Sequence, residues 1–509
     1  MITVEITAAI DAAGTLRTFY AADARFTSSP TDIPANTPFD ASLRESGSIA
    51  VTAFGDGRTG GGTRLALGEM RLANANGQYD AWLDYSFAGR PVVIRRGEPG
   101  PYPASMRAIF TGTIEALTVN QAEVIVRLKD KQLMFDRKAL SAVYAGSNVG
   151  PVGIEGAADD IKGQTKPRLF GHGLYLAPPC VNTAKLAYQP SAGALKAIGA
   201  VYVDGVALTP GGDHADSAAL MAAVLSPGPT YVTCLAEGLF RLAADPGGGE
   251  VTCDAVEGET EDERTAAQIL RRLALLAGLD PAEISAADVA ALDAANNAPL
   301  GIWITGEETF ASAMDAVAGS VGAYYGFDGP GMLRMARLEA PIGAPVLEIG
   351  NDSILGGRLE RRPAADGDIP AWSYTIRHSR VWSPDGEVAG SVPAERRAYL
   401  ANEYRAERAE APSVRIQHLL AAELTADTLL VSAAAAAAEA ARRLELHRER
   451  RDFFEVPVSD DLLRDLDLKI TDVVCLRSDR FDLADGRPFR VLGILPQSSR
   501  KRTTLTLWG

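Results

Sequence analysis

The chain has 509 residues, 47% of them apolar and 23% charged, with a formal net charge of −15. That is a soluble globular composition, with apolar material for several cores and on the order of 3 to 4 domains. The negative balance disfavours general binding to nucleic acid or to anionic membrane. The N-terminus, MITVEITAA, has neither a basic start nor a continuous apolar stretch, so no signal peptide is expected. The longest small-apolar run, Ala433 to Ala438, is far short of the ~20 residues that span a bilayer. Cys180, Cys234, Cys253 and Cys475 form no Cys-x-x-Cys pair and read as free thiols of a reduced compartment.

Residues 1–150 read as strands. Val4, Ile6 and Ala8 alternate as a half-buried strand does. Asp23 to Ser42 is a polar, Pro-bearing loop, Ser48 to Phe54 a strand, and Gly55 to Gly62 a flexible hairpin tip. The spacing Gly57, Gly62, Thr63 lacks the lysine that a phosphate-binding loop needs. Asn76-Gly77 marks a turn, Pro91 to Arg95 a strand, and Ile109–Ile114 with Ala122–Leu128 a strand pair.

Residues 151–258 read as a β-rich middle domain. It opens with Ile161–Pro179, where Lys166-Pro167 is extended, Gly171 and Gly173 allow a bend, and Pro178-Pro179 ends the segment. The pattern predicts a buried connector with a hairpin-like kink. Gly211 to Asp216, with His214 between carboxylates, predicts a solvated loop. Residues 259–345 read as a small α/β domain. Thr260–Glu263 would cap a helix whose buried face is Ile269, Leu270, Leu273, Leu276 and Ala277. A strand at Gly301–Thr305, a helix at Thr309–Ser320 and a hairpin at Ala323–Leu338 follow.

Residues 346–509 return to strands around one long helix. Tyr374–His378 is extended, an edge-strand candidate, and the chain turns helical from about Ser413 through the alanine run to Arg448. Arg442, Arg443, Arg448, Arg450 and Arg451 oppose Glu439, Glu445 and Glu449. That pattern reads as a solvated salt-bridged face or as a contact with an acidic neighbour. Pro488–Ile494 and Thr503–Trp508 pair across the basic turn Ser499–Arg502. The layout echoes Phe110–Leu128 as a weak pseudo-repeat. The fold class expected is therefore α+β, β-rich and multidomain, with a small α/β module.

Reactive groups do not converge in the sequence. His172, His214, His378, His418 and His447 show no zinc-ligand spacing, there is no Gly-x-Ser-x-Gly elbow, and Asp479, Asp482 and Asp485 do not match a calcium loop. No catalytic residue, metal or cofactor is expected.

Four stretches carry a resemblance. They are Gly163-x-x-Lys166-Pro167-x-x-x-Gly171; the segment from Asn74-x-Asn76-Gly77 through Gly89-Arg90 and Arg95-x-Gly97 to Phe110-x-Gly112-x-Ile114; the helix, helix, strand, helix, hairpin order of 259–345; and Phe489-Arg-Val-x-Gly493-Ile494 followed by Leu507-Trp508-Gly509. Together they resemble the tail-tip (baseplate) hub proteins of long-tailed bacteriophages and phage-derived particles. The resemblance implies a structural virion protein, a homotrimer whose two barrels per chain make a pseudo-sixfold ring. That ring would adapt a hexameric tail tube to threefold fibres and line a DNA exit channel. Implied partners are a distal tail or tail tube protein, a tape measure protein, and tail fibre or central spike proteins, with genome DNA passing through the lumen unbound. The implied place is the virion tail tip, assembled in the host bacterial cytoplasm. Arg500, Lys501 and Arg502 in one turn, Arg58 in the glycine loop, and Arg450 and Arg451 after the long helix are the expected inter-subunit contacts. A distal tail ring protein, a tail-associated cell-wall hydrolase and a receptor-binding fibre are the alternatives.

Overall fold

Period-two alternation builds the first sheet. β1 (Ile2–Ala9) turns Val4, Ile6 and Ala8 to one face, all buried, and pairs antiparallel with β2 (Leu16–Ala22). There follow β3 (Leu43–Glu45), β4 (Ile49–Thr52), β5 (Arg64–Leu67), β6 (Glu69–Ala73), β7 (Pro91–Gly97), β8 (Met106–Val119) and β9 (Glu123–Lys129). Seven strands lie in the order β2-β1-β7-β8-β9-β6-β3. The two ends of this sheet meet around Asp40. Its N–H donates to Tyr20 O, its carbonyl accepts from Ala22 N, and nearby Ser42 O accepts from Ala73 N. The sheet thereby closes on itself, so no long edge remains at β2. Met70, Val92, Ile94, Phe110, Val124 and Val126 fill the interior with Trp82, whose ring meets Phe19, Tyr79 and Phe87.

The structure, a computed structural model, describes residues 1–47, 49–54, 64–149, 153–357, 359–362, 369–463, 466–497 and 501–509.

The Ile161–Pro179 stretch does not make the expected hairpin-like kink. β10 (Arg168–Leu176) is one continuous strand that changes partners along its length. β11 (Ala197–Val203), β12 (Val251–Val256) and β13 (Gly301–Ile304) surround it in the order β11-β12-β10-β13. Arg168–Gly171 pair with β13, and His172–Leu176 pair with β12. The change needs Gly171, whose φ is +75° and where a side chain would run into the Leu300 carbonyl. A side chain at Gly301 would likewise meet the His172 carbonyl. A second sheet joins Cys180–Asn182, Ala187–Tyr188, Leu239–Leu242, Thr230–Cys234 and Thr209–Asp213. The predicted loop at Gly211–Asp216 is therefore half strand, parallel to Thr230–Cys234, and Asp216 caps the helix Ser217–Ala222.

Three capped helices form the α/β part: α1 (Ala266–Leu276), α2 (Ala286–Ala295) and α3 (Phe310–Ser320), with Thr265, Ser285 and Thr309 accepting from their first-turn amides. The α1 cap lies at Thr265, because Glu261–Arg264 is a separate 3-10 turn. Ile269, Leu270, Leu273 and Ala277 are buried as read, whereas Leu276 is exposed. β14 (Ala323–Phe327) and β15 (Leu333–Arg337) make the expected hairpin.

The C-terminal part contains β16 (Leu347–Ile349), β17 (Glu360–Arg362), β18 (Ala371–His378), β19 (Arg405–Glu410), β20 (Ala422–Asp427), α4 (Ala433–His447), β21 (Phe453–Ser459), β22 (Val473–Ser478), β23 (Leu483–Gln497) and β24 (Arg502–Trp508). Its main sheet runs β16-β22-β23-β24-β21-β17. Ile354 bridges Val458 of β21, so the 347–362 stretch reaches from one end of the sheet to the other. Two expectations are corrected here. β18 is a central strand, between β19 and β20, and not an edge. The helical run from Ser413 is broken: Pro412–Gln417 is helical, β20 intervenes, and α4 begins at Ala433. Ala422, Leu424 and Ala426 alternate against the core that holds Ala436, Ala440 and Leu444. Period two wins over helix propensity because the segment pairs in parallel with β18 and turns that face to the shared core.

Candidate assembly surfaces

The two β domains are built alike. In each, four strands consecutive in the chain lie with the first beside the last: β7-β8-β9-β6 and β22-β23-β24-β21. In each, an earlier strand, set off from the quartet by an insertion, pairs with its first member, β3 with β6 and β17 with β21. The long strands β8 and β23 carry a bulge at the same place. It falls between Ile114 and Ala116, opposite Leu128 and Arg127, and between Val491 and Gly493, opposite Leu507 and Thr506. The bulges superpose Ile114 on Val491 and Leu117 on Ile494. The phenylalanines that suggested the repeat do not superpose, since Phe110 lies four residues and Phe489 two residues before those positions.

A hairpin joins the domains. β4 and β5 leave the first sheet between β3 and β6, and β4 pairs with β23 through Thr52 opposite Gly493 and Val51 opposite Ile494. Ala53 N donates to Leu492 O at 2.9 Å. Ala53 and Phe54 belong to the second domain's core, where Phe54 sets its ring edge-on to Tyr324 at 5.6 Å. Two ion pairs, Arg96 with Asp460 at 3.4 Å and Arg107 with Asp467, tie the same seam. Thr111 N donates to Gly329 O, and Lys131 reaches Glu283, so the first domain is also docked on the α/β part.

The predicted contact residues separate into two places. Arg58 and Arg500 lie outside the described residues. Lys501 is exposed, with φ of +47°, and its carbonyl accepts from Asp460 N. Arg502 pairs in register with Ser459 and Gln497. The base of this turn thus sits at Asp460, against Arg96 of the first domain. Arg450 and Arg451 lie at the other end of β21, about 20 Å away at ~3.3 Å per residue, because Phe453 pairs with Trp508 and Ser459 with Arg502.

Arg451 lies over the Trp508 ring at 5.6 Å, donates to Leu446 O and pairs with Glu449; burial pushes its guanidinium pKa down. Arg450 is 56% exposed and lines a cleft of about 510 Å³ with Arg361, Asp452, Phe481, Asp482 and Arg487. Asp452 is the centre of this cleft. It accepts from Arg361 Nε at 2.8 Å and Arg487 at 3.0 Å, with Arg450 at 3.5 Å. Burial alone would raise its carboxyl, but the arginine hydrogen bonds and charges hold it below the usual carboxylate range. The sequence hinted at none of this, since Arg361 and Arg487 are far from Asp452 in the chain.

The long helix holds a second charge cluster. Glu439 and Arg443 are both buried, and Glu439 accepts from Arg443 and Arg442 at 2.6 Å each. Arg443 also donates to the Gly319 and Ser320 carbonyls at the end of α3. These arginines are internal braces, where the pattern had suggested a solvated face. Cys180, Cys234, Cys253 and Cys475 are free thiols. Among the described residues no cluster of His, Cys, Asp and Glu is arranged to hold a metal.

The neighbours among solved structures are phage tail proteins and a gene transfer agent particle. A chain from the virion of a native gene transfer agent particle is 16% identical, over 74% of this chain and 91% of that one, with a TM-score of 0.44. The 43 kDa tail protein of prophage MuSo2 from Shewanella oneidensis is 11% identical, over 100% and 98%, with a TM-score of 0.43. A tail protein from Neisseria meningitidis is 12% identical, over 91% and 96%, with a TM-score of 0.41. No protein-family model matches the chain, and no curated protein matches it.

Proposed function

We propose that this chain is a structural component of a phage-type tail, the trimeric hub of the tail tip. One observation carries the reading: a single chain holds two sheets of the same strand order and bulge, side by side, with a hairpin of the first paired to the long strand of the second. Repeating that step from chain to chain places two like units per copy around an axis. Three copies then present six similar units to a hexameric tube and three identical faces to a fibre or spike. The four sequence stretches that resemble tail-tip hubs support the same reading. The domain limits 1–150, 151–258, 259–345 and 346–509 belong to it as working divisions.

On this reading the partners are a distal tail or tube protein, a tape measure protein, and fibre or spike proteins. Genome DNA passes through a lumen whose negative charge lets it slide. The turn Arg500, Lys501 and Arg502 contributes to contacts between rings, as do Arg58, Arg450 and Arg451. The test is copy number per particle, with the mass of the purified chain in solution. Three copies and a trimeric mass are expected. Six copies per particle would make the chain a distal ring protein, and a monomer that joins no particle would overturn the reading.

A further inference from the structure

The hairpin β4–β5 covers a particular edge of the second domain, and the first domain has the same edge uncovered. In β23 the edge beyond the bulge, on the side of β22, is taken by β4 through Leu492 O, Gly493 and Ile494. The superposed stretch of β8 is Glu115, Ala116 and Leu117, continuing to Val119. On that side β7 pairs no further than Pro91 opposite Thr113, and Gly89 and Arg90 hold Ile114. Among the described residues no strand pairs with Glu115–Val119 there.

The backbone points the right way for a strand to add. Asn120 N donates to Glu123 O at the hairpin turn. Counting back in the antiparallel ladder, Thr118 faces β9 with its amide while Leu117 and Val119 turn theirs outward. Those outward positions match Leu492 and Ile494 in phase. Side chains agree: Leu492 is 1% exposed beneath the hairpin, whereas Glu115 and Thr118 stand in solvent.

We propose that the Glu115–Val119 edge of β8 is an inter-subunit docking strand, taken in the assembly by the second domain of another copy of this chain. The occupant follows from the pseudo-repeat. The edge of the second domain is filled by what the first domain inserts between β3 and β6. Its counterpart in the second domain is the insertion between β17 and β21. That insertion carries Ile416, Leu419 and Leu420, which are 82%, 88% and 81% exposed. Three apolar side chains so close in the chain and so exposed mark a surface awaiting cover. Edge and insertion sit on different domains, so the contact is head-to-tail. Head-to-tail contacts close into rings or run on as filaments. The inference rests on the trimeric hub reading and adds the strand that joins its copies.

Hydrogen exchange on the full chain tests it, comparing dilute monomer with trimer. Peptides covering Glu115–Val119 should exchange about tenfold or more slowly in the trimer. Val119→Pro removes an outward amide without touching the β9 ladder. It should raise the trimer dissociation constant about tenfold or more while far-UV circular dichroism stays unchanged. Leu419→Asp with Leu420→Asp should do the same from the other side. A trimer with unchanged exchange at 115–119 overturns the docking strand and leaves the hub reading standing. A chain that forms no trimer at any concentration overturns both.

Discussion

The two β domains share a strand order and a bulge, yet they are finished differently. The first closes with its own chain, through Asp40 and Ser42, and packs an aromatic cluster around Trp82. The second borrows: β4 completes its sheet and Phe54 enters its core, while α4 packs on β18 and β19 and braces α3 through the buried Glu439–Arg443 pair. A repeated unit can keep its topology while its edges are reassigned, because the backbone amides of a strand accept any extended partner. What differs is which partner covers the edge, and that difference distinguishes an internal seam from an outer one.

The largest expected effect breaks the borrowed half. Glu439→Ala leaves Arg443 buried without its carboxylate and should cost about 3–5 kcal/mol. Urea unfolding followed by limited proteolysis should show α4 and the α/β part that it braces opening while the first β domain stays folded; loss of both together would mean that they are one cooperative unit. Next is the matched pair of edge positions. Leu492→Ala should cost about 2–4 kcal/mol, while Glu115→Ala in the monomer should stay within about 0.5 kcal/mol. Equal effects would mean that the two edges are covered alike.

Acid should separate the domains in the same direction. The carboxyls of Asp452 and Glu439 are both held below their ordinary range. Burial opposes this in each case, and arginine contacts outweigh it. Their stabilisation is present above the ordinary carboxylate pKa and is lost as pH falls through the depressed values. A pH titration below about 4, read by proteolysis, should release the second domain first. The smallest effect belongs to Arg450→Ala. An exposed pair at 3.5 Å contributes about 0–0.5 kcal/mol, so stability should hold. Any change should appear in assembly, measured by the yield of complete particles.

Much of this architecture was legible in short stretches. Val4, Ile6 and Ala8, the Pro488–Ile494 strand and the Ala323–Leu338 hairpin declare themselves by alternation and turn residues, which are local properties. Capping threonines and the amphipathic face of α1 are local as well. β20 was misread because nothing local in 422–427 outweighs the helix-forming alanines that follow, and only pairing with the distant β18 makes it a strand. Tyr374–His378 was legible as extended, but its two partner strands lie 27 or more residues away, so its central place was not.

The candidate contact surface was legible only as charge. Arginines near one another in sequence, Arg450 and Arg451, prove to do different work: one lines an open cleft and the other packs on Trp508. Asp452 gathers Arg361 and Arg487 across the sheet, a grouping no spacing rule contains.

By itself the sequence determined the strand-rich ends, the small α/β module between them and the absence of any familiar catalytic spacing, because each depends on residues within a few positions of one another. Only the tertiary structure decided that β10 changes partners along its length, that β4 belongs to the neighbouring domain, and that among the described residues no strand covers the matching edge of β8. Backbone hydrogen bonds between strands carry no side-chain signature, so pairing over long separations is settled by packing and not by pattern.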